Sequence, residues 1–410
     1  MPRISHKNVT YEFISWVIVT YPILVMYSFY GIKLEYASIA LGTLLVVLDW
    51  TNKKKILTVN YTILIFFAYM ILIPSIIYVS FFNPNGTFLQ TGTIFFFLIL
   101  YLGTNYTQKK LLWKAYFAVL WVAIIIFLIQ ELLWYSTGSR FSALIPGLDF
   151  TYYSEIGSTE MAEMQKLTNR SCSIFMEPAV FAKFLIPTVI YNLNFTRKGN
   201  LRIFGIIVLL LLLRSGVGFM LIGICVLIYL CKMPLKNRIL KIVAISSIVV
   251  IIVGGGAVLA STEYGSKIFE RTEEFDSDND QTSGFVRMFR GFFLYSGMST
   301  AEKITGVGSK NIGCVIETSP FSYFFDGKDD VYLNGIQALL VGGGIIGLIL
   351  FYWMLIKNMR WNLTINFTLL LCTGIMMFFA AEYLSATMVL YFILAIAEIK
   401  DYKKRLVYEL

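Results

Sequence analysis

Of the chain's 410 residues, 57% are hydrophobic and only 14% are charged, with a formal net charge of +9. Soluble domains carry roughly 25% charged residues, so this composition excludes an ordinary soluble globular domain and makes lipid the expected solvent for much of the surface. In chain order, the runs 14–30, 56–81, 111–135 and 242–260 each hold about 17 or more mostly apolar residues, the length a spanning helix needs. They are continuous rather than alternating, which predicts helices and not barrel strands. The basic start, with Arg3 and Lys7, leads into a run too long for a signal-peptide core, and no small-residue cleavage site follows. A first permanent span is therefore expected there.

Short basic connectors separate the runs, at 53–55, 109–110, 197–202, 232–241, 357–360 and 400–405. With a cytoplasmic N-terminus and one crossing per run, all of them fall on the cytoplasmic side, while most acidic residues fall on the other. The positive-inside rule then gives an all-α polytopic membrane protein of about twelve transmembrane helices, with both termini cytoplasmic. The basic balance follows from that asymmetry and calls for no nucleic acid. At 203–231 the charge pattern requires two short helices reversing at Arg214, Ser215 and Gly216. The expected layout is spans one to five over 1–135, a large external loop over 136–177, spans six to nine over 178–260, a second large external loop over 261–331, and spans ten to twelve with a cytoplasmic tail over 332–410. Loops this long between spans are generally functional.

The residue inventory narrows the chemistry. The single histidine is His6, in the cytoplasmic tail, so serine–histidine catalysis and histidine-held metals are excluded on the outer face. Asp276, Asp278 and Asp280 resemble the start of a calcium loop, but Gln281 and Arg287 stand where its glycine and closing glutamate belong, and a solvated acidic turn is the better reading. No metal and no cofactor is expected. Five cysteines, at 172, 225, 231, 314 and 372, lack metal-type spacing. Cys172 and Cys314 lie one in each external loop, which leaves a disulfide between the loops open.

The external arginines are Arg140, Arg170, Arg214, Arg271, Arg287 and Arg290. Arg287 and Arg290 are three apart and share a helix face. A guanidinium grips phosphate oxygens bidentately, so arginines converging at the outer surface suit a lipid-linked diphosphate. Headgroup snorkelling and surface ion pairs are the plain alternative. Glu177 precedes Pro178, which suits the first turn of a helix. Its readings are helix capping, or a general base or arginine partner. The stretch from Gly306 through Gly308, Lys310 and Asn311 reads as a turn before an anion loop. Asn334 and Gly342–Gly344 fall in span ten, where glycines signal close helix packing. Glu382 reads as a residue of a short loop between the last two spans.

These residues, in this order, resemble the O-antigen polymerase (Wzy-type) family of the polysaccharide polymerase and ligase superfamily. The likeness runs through Arg170, Ser171, Cys172, Ser173, Glu177, Pro178 and Phe181, then Leu213 to Gly216, then Ser283, Gly284, Arg287 and Arg290, then Gly306, Gly308 and Asn311, and finally Asn334 and the glycines to Gly347. The resemblance implies a GT-C-like, inverting, metal-independent glycosyltransferase in the bacterial inner membrane. It would move a growing glycan from undecaprenyl diphosphate onto a lipid-linked repeat unit, with a chain-length regulator protein as candidate partner. It also implies roles: Glu177 and Arg287 catalytic, with Arg170, Arg214, Arg290 and Asn311 binding substrate. The leucine-rich approach at Leu209–Leu213 departs from the family's serine- and threonine-rich one, which bears on Arg214. An O-antigen ligase, the nearest rival, relies on a histidine in its second large loop, and 261–331 has none. A lipid-linked oligosaccharide flippase or other transporter would place charge mid-span and keep its loops short. A structural assembly subunit is the third alternative.

Overall fold

The computed structural model describes residues 6–53, 60–82, 91–139, 141–150, 171–195, 200–213, 215–232, 283–325, 333–380 and 384–408. Helix α1 (His6–Leu24) passes through strands β1 (Tyr27–Phe29) and β2 (Ile32–Lys33) into α2 (Leu34–Lys53). Helices α3 (Tyr61–Phe82), α4 (Thr91–Tyr106) and the long α5 (Lys109–Thr137) follow, then β3 (Asp149–Phe150). Next come α6 (Pro178–Phe195), α7 (Asn200–Leu213) and α8 (Gly216–Lys232). Then come α9 (Ser283–Gly297), the short α10 (Thr300–Thr305) and α11 (Ile312–Thr318), and the long α12 (Gly335–Asn358), α13 (Thr364–Phe379) and α14 (Ala386–Tyr408). The fold is all-α, with one small antiparallel sheet in the order β2-β1-β3. Tyr30 and Gly31 both take positive φ between β1 and β2, the two-residue turn that suits strand twist.

The core forms around α14. From Met388 to Ala397 every side chain is buried, as expected of a helix apolar on all sides. It packs against α1, α4, α5, α6 and α13. Gly103 lets α4 come so close that a Cβ there would overlap Ile393. Polar contacts fix the same helix at both ends of its buried stretch. Tyr391 donates to the Lys183 carbonyl of α6 at 2.6 Å. Lys109 of α5 pairs with Glu398 at 2.9 Å and with Asp401 at 3.3 Å.

Two described helices, α5 and α12, are long and apolar enough to cross a membrane, and the other apolar stretches among the described residues are shorter. The described helices therefore do not make up the expected set of about twelve spans. Helices α4 and α13, of 16 residues each, rise about 24 Å, less than a hydrocarbon layer of about 30 Å. The run 242–260 lies outside the described residues. The expected break after Leu213 is present, since α7 ends there and α8 begins at Gly216. A Cβ on Gly218 would sit 3.4 Å from Leu210 and 3.0 Å from Ala182, so the chain turns back on itself against α6.

Helix α12 is broken at Gly344, whose φ of 65° and ψ of −171° are not helical. An unbroken helix would bond the carbonyls of Val341, Gly342 and Gly343 to amides one turn on. Here Val307 and Gly308 donate to the first two, at 3.0 and 2.8 Å, and the Tyr69 hydroxyl of α3 reaches the third at 3.0 Å. The same hydroxyl lies 2.7 Å from the Thr305 carbonyl. A Cβ on Gly306 would strike Gly342, and one on Gly344 would strike the Ile304 carbonyl. The close packing expected of these glycines is thus helix against loop at Gly342 and Gly344, and helix against helix at Gly343, where a Cβ would lie 2.8 Å from Met70 of α3.

Gly344→Ala is expected to lower the melting temperature, because the backbone strain alone costs ~1–3 kcal/mol and the new methyl has no room. A Cβ on Gly92 would meet nothing within 4 Å, so Gly92→Ala should leave the thermal unfolding curve unchanged or raise it.

Candidate functional site

The stretch 171–177 is held against α5 by a polar seam. Ser171 Oγ donates to Glu131 Oε1 at 2.5 Å. The Ser173 amide donates to Gln130 Oε1 at 2.8 Å, and Ser173 Oγ to the Ala123 carbonyl at 2.6 Å. Gln130 Nε2 in turn reaches the Phe141 carbonyl at 3.2 Å. Ser173 has a φ of 58°, a left-handed conformation that a serine keeps only when its surroundings fix it, and these bonds do so. Gln130, Glu131, Ser171 and Ser173 are all buried. Buried polar groups of this kind hold together only when each is satisfied.

Glu177 closes the seam. Its carbonyl accepts from Val180 at 3.1 Å and Phe181 at 3.2 Å, so it stands at the cap of α6 with Pro178 as the first helical residue. Phe175 stacks on Phe181 with ring centroids 5.3 Å apart, fixing the angle at which the chain enters the helix. The position expected from the Glu-Pro pair is the one observed.

Helix α9 carries the two neighbouring arginines. Arg290 is 3% exposed, and its guanidinium lies over the Phe325 ring, 4.9 Å from the centroid. It therefore faces the protein interior. Gly291 presses on α12, where a Cβ would come within 2.6 Å of Gln337. Gln337 is fully buried and forms a reciprocal cap with Asn334, at 2.9 and 3.2 Å. Leu294 and Met298, further along the same stripe as Gly291, are both buried.

Asn311 is the other residue expected to bind substrate. Its Nδ2 donates to the Val307 carbonyl at 2.7 Å, and its amide to that of Gly308 at 3.0 Å. It therefore braces the loop from Gly306, whose Val307 and Gly308 amides are already bonded to α12. The plain-turn reading of this stretch matches the geometry. Arg290 and Asn311 both border one small apolar cluster, which includes Leu294, Val307, Ile312 and Phe325. Glu177 adjoins the separate, larger core through its neighbours Phe175, Met176 and Phe181. Helix α13 packs against both α6 and α9 and so spaces the two halves.

Arg140, Arg170, Arg214, Arg271, Glu382 and Asp276–Asp280 lie outside the described residues. Cys172 and Cys314 are both free thiols, so the disulfide between the two loops does not form. Cys172 is buried against the seam, and Cys314 sits half-buried in α11. Among the described residues no three His, Cys, Asp or Glu side chains gather to hold a metal ion.

Sequence reasoning passed over Gln130, Glu131 and Tyr69. The signal for the first two was present: a polar pair inside an apolar helix is expensive and is generally retained for a partner. No protein-family model matches the chain, and no curated protein matches its sequence.

Gln130→Ala should destabilise the protein by ~1–3 kcal/mol, since it strips the Ser173 amide of its buried acceptor. Thermal unfolding checks it. A double-mutant cycle between Arg290→Ala and Phe325→Ala should give a coupling of ~0.5–2 kcal/mol. A coupling near zero would show that the two groups do not interact.

Proposed function

We propose that the protein is a polytopic membrane glycosyltransferase that polymerises polysaccharide, O-antigen or capsule, at the outer face of the bacterial inner membrane. The observation that carries the membrane part is the outward face of α5. Trp121, Val122, Ile125, Leu128, Ile129 and Leu132 recur there at helical spacing, each between 44% and 71% exposed. Leu41, Leu44 and Leu48 make a similar face on α2, and Ile345, Ile349 and Ile356 on α12. Patches of this extent are rare on soluble monomers, whereas acyl chains cover them without cost. A topology of about twelve spans, with cytoplasmic termini and two large external loops, rests on the charge pattern of the connectors.

The reaction proposed is attack by a hydroxyl of the acceptor sugar on the anomeric carbon of the growing glycan. The bond from that carbon to the diphosphate oxygen breaks, and undecaprenyl diphosphate leaves with the electron pair. The hydroxyl proton passes to a base, for which Glu177 is the candidate. Charge building on the leaving diphosphate is stabilised by arginines without a metal. Because Arg290 is enclosed over Phe325, it is cast as the anchor of α9. Arg287 and Arg170 are then the primary diphosphate ligands proposed, with Arg214 a further candidate. Membrane lipids and the lipid-linked oligosaccharide are the partners this requires, and a chain-length regulator is a further candidate.

One observation favours a transporter instead. A helix broken in mid-course is a common place for transporters to bind substrate, and α12 has such a break. Its freed carbonyls are, however, taken by Val307, Gly308 and Tyr69, which favours a fixed joint over a binding site. The ligase alternative is disfavoured by the absence of histidine from 261–331.

The test is polysaccharide length in a host lacking the gene, complemented with wild type or Arg287→Ala. A polymerase predicts that the ladder collapses to single repeat units without the gene and that Arg287→Ala, at normal expression, does not restore it. Long chains retained on undecaprenyl diphosphate would favour the ligase. Repeat units held on the cytoplasmic face would favour a flippase.

A further inference from the structure

The loop that fills the break in α12 sits at a measurable depth. Gly344 stands about 20 Å along the helix from Lys357, at roughly 1.5 Å per residue. The basic and aromatic cluster Lys357, Arg360 and Trp361 follows at that end, the composition of a membrane boundary. Helix α3 gives a second measure. Asn60 Nδ2 bonds Asn358 Oδ1 at 2.8 Å, which sets the two helices level at that boundary. Tyr69 lies about 14 Å up α3 from Asn60, and its long side chain closes the rest of the distance to Gly343 and Thr305. Both measures put the joint well short of the far side of a hydrocarbon layer about 30 Å thick.

The chemistry of the loop changes with that depth. Ser299, Thr300 and Glu302 form the polar head of α10 with a complete capping box. At its foot Ile304 is 45% exposed, beside Ile345 at 45% and Ile346 at 36%, with Ile349 at 60% further along α12. One apolar stripe thus continues from α12 onto the loop. Gly306, Val307 and Gly308 are buried behind it. Irregular backbone is tolerated inside a membrane only where protein satisfies its polar groups. Here Val307 and Gly308 donate to α12, Gly306 donates to the Glu302 carbonyl at 2.7 Å, and Thr305 is met by Tyr69.

We propose that 299–311 is a re-entrant segment of the second large loop, its tip at Ile304–Gly308 lodged in the outer leaflet with Ile304 against lipid acyl chains. The inference rests on the membrane reading above and adds to it a location for the arginine helix. α9 meets α12 at Gln337, in the first turn of α12 and about two turns above the break, and turns Phe289 and Phe292 outward at 46% and 40% exposure. It lies at the headgroup level, as an amphipathic interfacial helix does. A lipid-linked diphosphate then meets position 287 without leaving its leaflet.

The test places trifluoromethyl-phenylalanine singly at positions 304, 349 and 318 of the full chain, in nanodiscs of phosphatidylethanolamine and phosphatidylglycerol. Fluorine spectra are compared with dissolved oxygen, which concentrates in lipid, and with a soluble nickel chelate. Re-entry predicts that the signals at 304 and 349 broaden with oxygen and are spared by nickel, while 318, on the polar face of α11, broadens with nickel. Should 304 broaden with nickel while 349 does not, the re-entrant segment is refuted and the membrane reading stands. Nickel broadening at 349 would overturn the membrane reading itself. Ala301, one turn earlier on α10, provides a second label whose contrast should fall between those of 304 and 318; a nickel response there equal to that at 304 would also refute the descent.

Discussion

Gly344 takes a backbone conformation open in practice only to glycine, and much of the second half of the molecule is arranged around that one residue. Where the helix breaks, three carbonyls are met from outside it, and leaving such groups buried and unpaired costs about 1–3 kcal/mol each. The protein meets the need with groups from two distant parts of the chain, the 307–308 amides and the Tyr69 hydroxyl. The break, the loop and α3 therefore specify one another. Removing any one leaves the other two with unsatisfied polar groups, so the joint behaves as a rigid unit and not as a hinge.

The other half of the molecule applies the same rule with side chains in place of backbone. Gln130 and Glu131 face the 171–173 stretch from within α5 and meet its hydroxyls and amide. That contact orients everything downstream, since Glu177 and the start of α6 follow within one turn of chain. Tyr116 extends the attachment by donating to the Phe184 carbonyl of α6 at 2.6 Å. The α5–α6 unit and the α9–α12 unit are each rigid for local reasons, and α13 between them sets their spacing.

What the sequence made legible was local. The break at Arg214–Gly216, the cap at Glu177-Pro178 and the tight approach at Gly342–Gly344 all depend on residue types acting on their own backbone, and each is visible in a short window. The partners were not legible. Nothing near Gly306 shows that its loop would fill a helix break at Gly344, because the pairing is set by three-dimensional packing across intervening chain. Nor does the sequence show that the Arg290 guanidinium lies over Phe325, for the same reason. The expected number of spans came from charge and apolar runs, which register hydrophobicity but not where a helix is interrupted. α4 and α13 stop at 16 residues.

The burial of Arg290 sharpens the chemical question more than it removes a residue from it. A charge enclosed at 3% exposure is retained only with compensation, and the Phe325 ring face supplies part of it. Its effect is to fix the rotation of α9 about its own axis, because Arg290 and Gly291 must both face inward. With that rotation set, the helix backbone that carries position 287 is held in place. On the proposed reading this is what a metal-free site requires. Electrostatic stabilisation of a leaving diphosphate works only when the donors are already in place before charge develops, and one arginine held by an aromatic ring is a means of placing the next.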